Sequence, residues 1–148
     1  MFEIRQVQPI DIFPVIKIAY ESLPERYSPM IFNKFYESFS EGFLVAEKAK
    51  KIVGFIIGIK TSNETVRIPM LAVHKNYRRQ GVGSALITQM LKKLRLQNIQ
   101  HIDLEVKTSN TAAIQFYKKH GFVITENIPS FYQTGEDAYI MKRELQPS

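Results

Sequence analysis

Three consecutive runs rich in β-branched and aromatic residues, 43–47, 52–60 and 65–73, are separated only by short polar segments at 48–51 and 61–64. Such runs read as strands, and connectors this short join neighbours, so the three predict an antiparallel meander. Immediately downstream the apolar period lengthens from two to nearly four. Val82, Leu86, Met90 and Leu94, joined by Ile87 and Leu91, form a broad stripe that predicts a central helix over residues 83–96.

Weaker signals complete the order. Residues 2–7 alternate as a strand does, and Pro9-Ile10-Asp11 opens a helix with apolar positions Ile12, Val15, Ile16 and Ala19 that stops at Leu23-Pro24. A second helix is expected over 29–39, with Ile31, Phe35 and Phe39 stacked at four-residue steps and Gly42 ending it. Residues 102–106 read as a strand, 110–120 as a short helix closed by Gly121, and 122–128 and 138–143 as the last two strands. The order β-α-α-β-β-β-α-β-α-β-β combines an antiparallel first half with strand-helix-strand crossovers, the pattern of an α/β or α+β domain with a mixed sheet.

The chain's 148 residues fit a single domain, 1–148, large enough to bury a core. There is no internal repeat, low-complexity run or Gly/Ser linker. The absence of cysteine removes disulfides, thiolate metal sites and cysteine nucleophiles, and suits a reducing interior. The N-terminus lacks a basic stretch followed by an apolar run, and no segment approaches the roughly 18 apolar residues of a membrane span. A cytoplasmic protein without membrane partners is expected. Twenty Lys and Arg against 14 Asp and Glu give a net charge of +6, which favours anionic partners. His74, His101 and His120 show no ligand spacing, so no metal is expected and each reads as a surface residue.

Between the third meander strand and the central helix lies Arg78-Arg79-Gln80-Gly81-Val82-Gly83-Ser84. A diphosphate needs converging backbone N–H groups, which glycines and a helix N-terminus supply, while Arg78 and Arg79 can neutralise its charge. The plainer alternative is a tight strand-helix turn. A dinucleotide fingerprint would need glycine at Leu86, and a P-loop would need a Gly-Lys-Ser/Thr triplet; both are missing.

With Met70-Leu71-Ala72-Val73 before it and Ala85-Leu86 after it, this loop resembles the acetyl-CoA motif of the GNAT superfamily of N-acetyltransferases. Residues 104–114 and 116–122 match that family's second signature. Segments 23–27 and 135–143 are similar to protein N-terminal acetyltransferases of the archaeal and eukaryotic type, close to the ribosomal-protein alanine acetyltransferases. The resemblance covers nearly the whole chain and implies a mostly antiparallel sheet of about seven strands flanked by about four helices. It also implies transfer of the acetyl group of acetyl-CoA to the α-amine of protein or peptide N-termini, by direct attack, with a ribosome or an auxiliary subunit as a further partner.

Carried over residue by residue, the resemblance gives Leu71, Ala72, Val73, Arg78, Arg79, Gln80, Gly81, Val82, Gly83, Ser84 and Asn110 to the cofactor. The strand residues Leu71 and Val73 act through backbone groups, one amide lying near the thioester oxygen. Asn110 also reads as an ordinary N-cap. Tyr117 matches the tyrosine that protonates the departing CoA thiolate; the plain alternative is a core tyrosine beside Phe116. Glu105 alternates with Leu104 and Val106, so it points to the opposite sheet face, towards where the second substrate should lie, and is the candidate general base, or else a strand glutamate paired with a lysine. Some relatives use tyrosine or histidine where this chain has Arg67. Tyr27, Tyr132 and Tyr139 lie in segments like those that grip the acceptor, and Glu25 and Glu136 can attract its cationic amine.

Two rival readings follow from other features. The same fold serves lysine side chains or small amines, because it fixes the cofactor more firmly than the acceptor. The basic runs Lys48-Ala49-Lys50-Lys51 and Lys92-Lys93-Leu94-Arg95 fit a nucleic-acid-binding module, although no specific nucleic acid is expected.

Overall fold

The computed structural model describes residues 1–24 and 27–146. Among them, seven strands form one sheet in the order β1-β2-β3-β4-β5-β7-β6. In chain order the elements are β1 (Glu3–Gln6), α1 (Ile12–Ser22), α2 (Pro29–Ser38), β2 (Phe43–Lys48), β3 (Lys51–Lys60), β4 (Thr65–Val73), α3 (Val82–Leu96), β5 (His101–Lys107), α4 (Thr111–Lys119), β6 (Val123–Ile128) and β7 (Ala138–Glu144). The expected meander is β2-β3-β4, paired antiparallel throughout. Among the described residues the only parallel pair is β4 with β5, joined by the crossover through α3.

Strand alternation divides the core between the two sheet faces. Leu44, Ala46 and Ile56 point to the side covered by α3, where Leu86, Ile87, Met90 and Leu94 are fully buried. Phe43, Val45, Phe55 and Ile57 point to the other side, against Val15 and Ile18 of α1 and Phe32 and Phe35 of α2. Burying one such side chain stabilises the fold by about 1.5–3 kcal/mol, so these two layers dominate its stability.

The first two helices differ in detail from the apolar pattern. Pro9–Asp11 forms a 3-10 turn before α1, and Ile18 is buried where Ile16 was expected, Ile16 lying at the margin of the stripe. In α2 the buried face is Phe32 and Phe35 rather than Ile31 and Phe35. Phe39 leaves the helix with φ −157° and packs into the α3-side core.

β4 reverses its facing halfway along. Val66 and Ile68 face the α3 side, whereas Met70 and Ala72 face α1 and α2. The register explains this: Ile59 opposes Arg67 and Ile57 opposes Met70, so Ile68 and Pro69 together stand opposite Gly58. One extra residue is a β-bulge, which flips every later side chain to the other face.

Candidate active site

The bulge lies where the sheet opens. β4 and β5 are paired only at Thr65–His101, Val66–Ile102 and Arg67–Asp103, after which the strands part. The edge of β4 beyond Arg67 therefore has no ladder partner from β5. His74 donates its N–H to the Val53 carbonyl at 2.8 Å. By two-residue alternation Ala72 then also faces β3, and the backbone groups of Leu71 and Val73 face the gap. The Val73 carbonyl is met there by Arg78, whose Nε donates to it at 3.0 Å.

The glycine loop stands at one end of this gap. Gly81 caps α3 in the left-handed region at φ +82°, and its carbonyl accepts from Ala85, so the N–H groups of Val82, Gly83 and Ser84 precede the first intrahelical bond. Those donors and the side chains of Arg78 and Arg79 surround a cavity of about 270 Å³. Free donors, a helix N-terminus and two exposed cations fit a diphosphate. A Cβ on Gly83 would sit 3.5 Å from the Phe116 ring, on the wall that this cavity shares with the next.

That second cavity, of about 350 Å³, runs along Leu71, Ala72 and Val73 to Ala113 and Tyr117 of α4. A third, of about 150 Å³, continues past Leu71 and Tyr117 to Glu105, Asn110 and Tyr132. It opens into a fourth of about 520 Å³ between Tyr27, Lys107, Phe131 and Tyr132. Consecutive cavities share lining residues, so the four lie end to end as a cleft where β4 and β5 separate. A larger hollow of about 670 Å³, between α1 and the β2-β3 turn, contains none of the expected site residues.

Tyr117 lies at the joint of the second and third cavities, wedged edge-on between Phe116 and Phe122 at centroid distances of 5.2 and 5.5 Å. Burial pushes its phenol above the ordinary value, so it stays protonated at neutral pH. Asn110 caps α4 by accepting the Ala113 N–H at 3.1 Å, the N-cap use expected of it, and it also lines the third cavity. His120 is half-buried, not a surface residue: its Nε2 is 3.1 Å from Ser84 Oγ and its ring leans on Phe116 at 4.8 Å. Burial first, then Lys119 and Arg143, hold its pKa below the usual histidine value. His74 and His101 are half-buried too, one accepting the Asn76 N–H at 3.1 Å and the other paired with Glu144.

Glu105 faces away from Leu104 and Val106, which are buried on the α3 side, as alternation predicts, and it lines the third cavity. Its partner is Arg67 and not a lysine: Nη1 of Arg67 lies 3.0 Å from Glu105 Oε1, while Nε reaches Asp103 Oδ1 at 2.7 Å. The hydrogen bond to Asp103 is the main cause that raises the Arg67 pKa further.

The acceptor-side residues separate into two groups. Tyr27 and Tyr132 line the 520 Å³ cavity. Tyr139 does not: it opposes Val106 in the β5-β7 ladder and packs on the α3-side core, on the far face of the sheet. Sequence reasoning missed Phe131, which is 41% exposed and stacks edge-on against Tyr132 at 5.0 Å. The adjacent aromatic pair within a turn-rich segment was its available signal. Glu136 serves as a clamp, accepting from Ser109 at 3.0 Å and Thr134 at 3.1 Å with Lys107 at 3.5 Å; the Ser109 bond leads the causes that lower its pKa. Glu25 lies outside the described residues. Among those described, no cluster of three His, Asp or Glu can hold a metal ion, and no helix is long and apolar enough to cross a membrane.

Residues 11–122 match the model of the acetyltransferase (GNAT) family. An N-alpha-acetyltransferase of Sulfurisphaera tokodaii is 32% identical over 97% of this chain and 93% of its own length. The crystal structure of Ard1 from Thermoplasma volcanium superposes with a TM-score of 0.94 at 42% identity, covering 98% of both chains. Arabidopsis thaliana Naa50, solved with the bisubstrate analogue CoA-Ac-MVNAL, gives a TM-score of 0.83 at 30% identity over 96% of this chain and 97% of that one.

Proposed function

The chain belongs to the GNAT acetyltransferase family, and from that premise we propose that it transfers the acetyl group of acetyl-CoA to the α-amine of protein or peptide N-termini. Bound acetyl-CoA supplies an activated acyl group on a thiol leaving group. The observation that carries the acceptor half of the reading is the 150 Å³ cavity, where Glu105, Tyr117 and the free edge of β4 meet between the cofactor-side and acceptor-side cavities.

Each group has a task matched to its chemistry. The α3 N-terminus with Arg78 and Arg79 binds the diphosphate, and the gap-facing backbone of Leu71 and Val73 aligns the pantetheine arm and donates to the thioester oxygen. An α-amine with pKa near 8 is partly neutral at pH 7, so Glu105 needs only to accept its proton, directly or through one water. Tyr117 donates a proton to the departing sulfur. The aromatic walls from Tyr27, Phe131 and Tyr132 seat the first residues of the acceptor peptide. A cytoplasmic location and a ribosomal or auxiliary-subunit partner belong to the same proposal, the net charge of +6 favouring an anionic surface.

Incubation with acetyl-CoA and matched lysine-containing peptides, one with a free and one with a blocked N-terminus, tests the acceptor. Mass spectrometry is expected to place the acetyl group on the free α-amine and to find the blocked peptide unmodified. Acetylation confined to lysine in the blocked peptide overturns this reading.

A further inference from the structure

Arg67 occupies the last rung of the parallel β4-β5 ladder, opposite Asp103, at the vertex from which the cleft opens. The bulge at Ile68 and Pro69 begins immediately after it. Asp103 and Glu105 are two apart on β5 and so project from one face, and the guanidinium reaches across from the neighbouring strand to both, at 2.7 and 3.0 Å. An arginine fork can hold two carboxylates at once in fixed directions, which a point-charge ammonium cannot. The arrangement is directional. Asp103 takes the Nε, with a side chain only 14% exposed, and leaves the outer nitrogen for Glu105, whose carboxylate borders the cavity shared with Tyr117.

We propose that Arg67 is a positioning residue, anchored by Asp103, that holds the Glu105 carboxylate in the single orientation from which it takes the proton of the acceptor amine. The inference rests on the reading of Glu105 as the general base. It explains why a side chain with no proton-accepting capacity at neutral pH stands at the last β4-β5 rung beside Glu105: its role is to fix where the base points. A freed glutamate has several rotamers, and misplacing a catalytic group by about 1 Å costs up to about a hundredfold in rate.

The test is steady-state kinetics on Arg67→Gln, Arg67→Lys, Asp103→Asn, Glu105→Gln and the double variant R67Q/E105Q, with KM measured for both substrates. R67Q is expected to lower kcat about tenfold to a hundredfold with the KM for acetyl-CoA unchanged, and R67K to remain within about threefold of R67Q because charge without the fork does not orient. D103N is expected to lower kcat by a smaller factor in the same direction. The double variant should be no slower than E105Q, since each change removes the same function. Full activity in R67K, losses that multiply in the double variant, or a raised KM for acetyl-CoA with kcat intact would each overturn the proposal, the last meaning that Arg67 only ties the strands. If E105Q itself keeps full turnover, the base reading fails and takes this inference with it. If E105Q is slow while R67Q is not, the inference alone fails. R67K and D103N keep the test decisive should R67Q not fold.

Discussion

Tyr117 is the residue whose surroundings bear most directly on its proposed task. Burial among Phe116, Phe122 and the cleft wall raises its pKa, so the neutral phenol is present through the whole range in which the acceptor amine titrates. Raising a phenol's pKa keeps its proton on, and the alkaline side of a rate profile must then report other groups. Tyr117→Phe is expected to lower kcat about 10²–10⁴ fold by a factor that stays constant between pH 6 and 9; a loss that grows or vanishes across that interval counts against proton donation by this hydroxyl. That Tyr117 shares a face with Ala113 and that Asn110 stands at the start of α4 were legible, because spacing on a short helix determines which positions face together. Tyr139 was misread because a strand residue's face depends on the register of its neighbours, and pairing with Val106 sends its ring to the far side. The partner of Glu105 was equally hidden, since Arg67 is 38 residues away and only the parallel rung brings the two together.

At the level of elements, the proposed cofactor site is divided between the α3 N-terminus and β4, and the two loop glycines would serve it for different reasons. Gly81 has φ +82°, and a Cβ there would meet nothing within 4 Å, so Gly81→Ala costs about 1 kcal/mol of backbone strain and no packing. Gly83 is helical, and a Cβ would reach only ordinary contact with Phe116, so alanine suits the helix while filling the cavity wall. Thermal denaturation is expected to show a lower Tm for G81A and a Tm no lower than the parent's for G83A, while both raise the KM for acetyl-CoA. A G83A variant with unchanged KM would remove Gly83 from the cofactor wall. The strand runs and the central helix were readable because their periods are long and regular. The β4 bulge was not, although Pro69 marked it: a proline inside a central strand is tolerated only at an irregularity, and here β5 has already left the ladder.

For the molecule as a whole, the weak seam is the line along which the cleft runs. β1 to β4 and β5 to β7 are each joined by antiparallel ladders of four to seven paired rungs, interrupted only by bulges, but among the described residues three paired rungs join the two halves, supplemented by the core beneath α3. The order of elements in the sequence allowed a mixed sheet; it could not disclose how early the parallel pair ends, because that is set by the bulge and by Arg67 at the vertex. A ligand lying in the gap touches β4 and the α3 N-terminus on one side and α4 on the other, so it binds the folded sheet and not the unfolded chain. At a hundred times its Kd such a ligand stabilises by about 2.7 kcal/mol, which for a chain of this size raises Tm by about 5–10 °C. Acetyl-CoA is expected to give that shift. S-acetyl-pantetheine at the same concentration should give little, because it lacks the diphosphate proposed to sit between the α3 N-terminus and the two arginines. Equal shifts from both compounds would move the main anchor from the glycine loop to the backbone edge of β4, and no shift from either would mean that the gap between the strands is not where the cofactor binds.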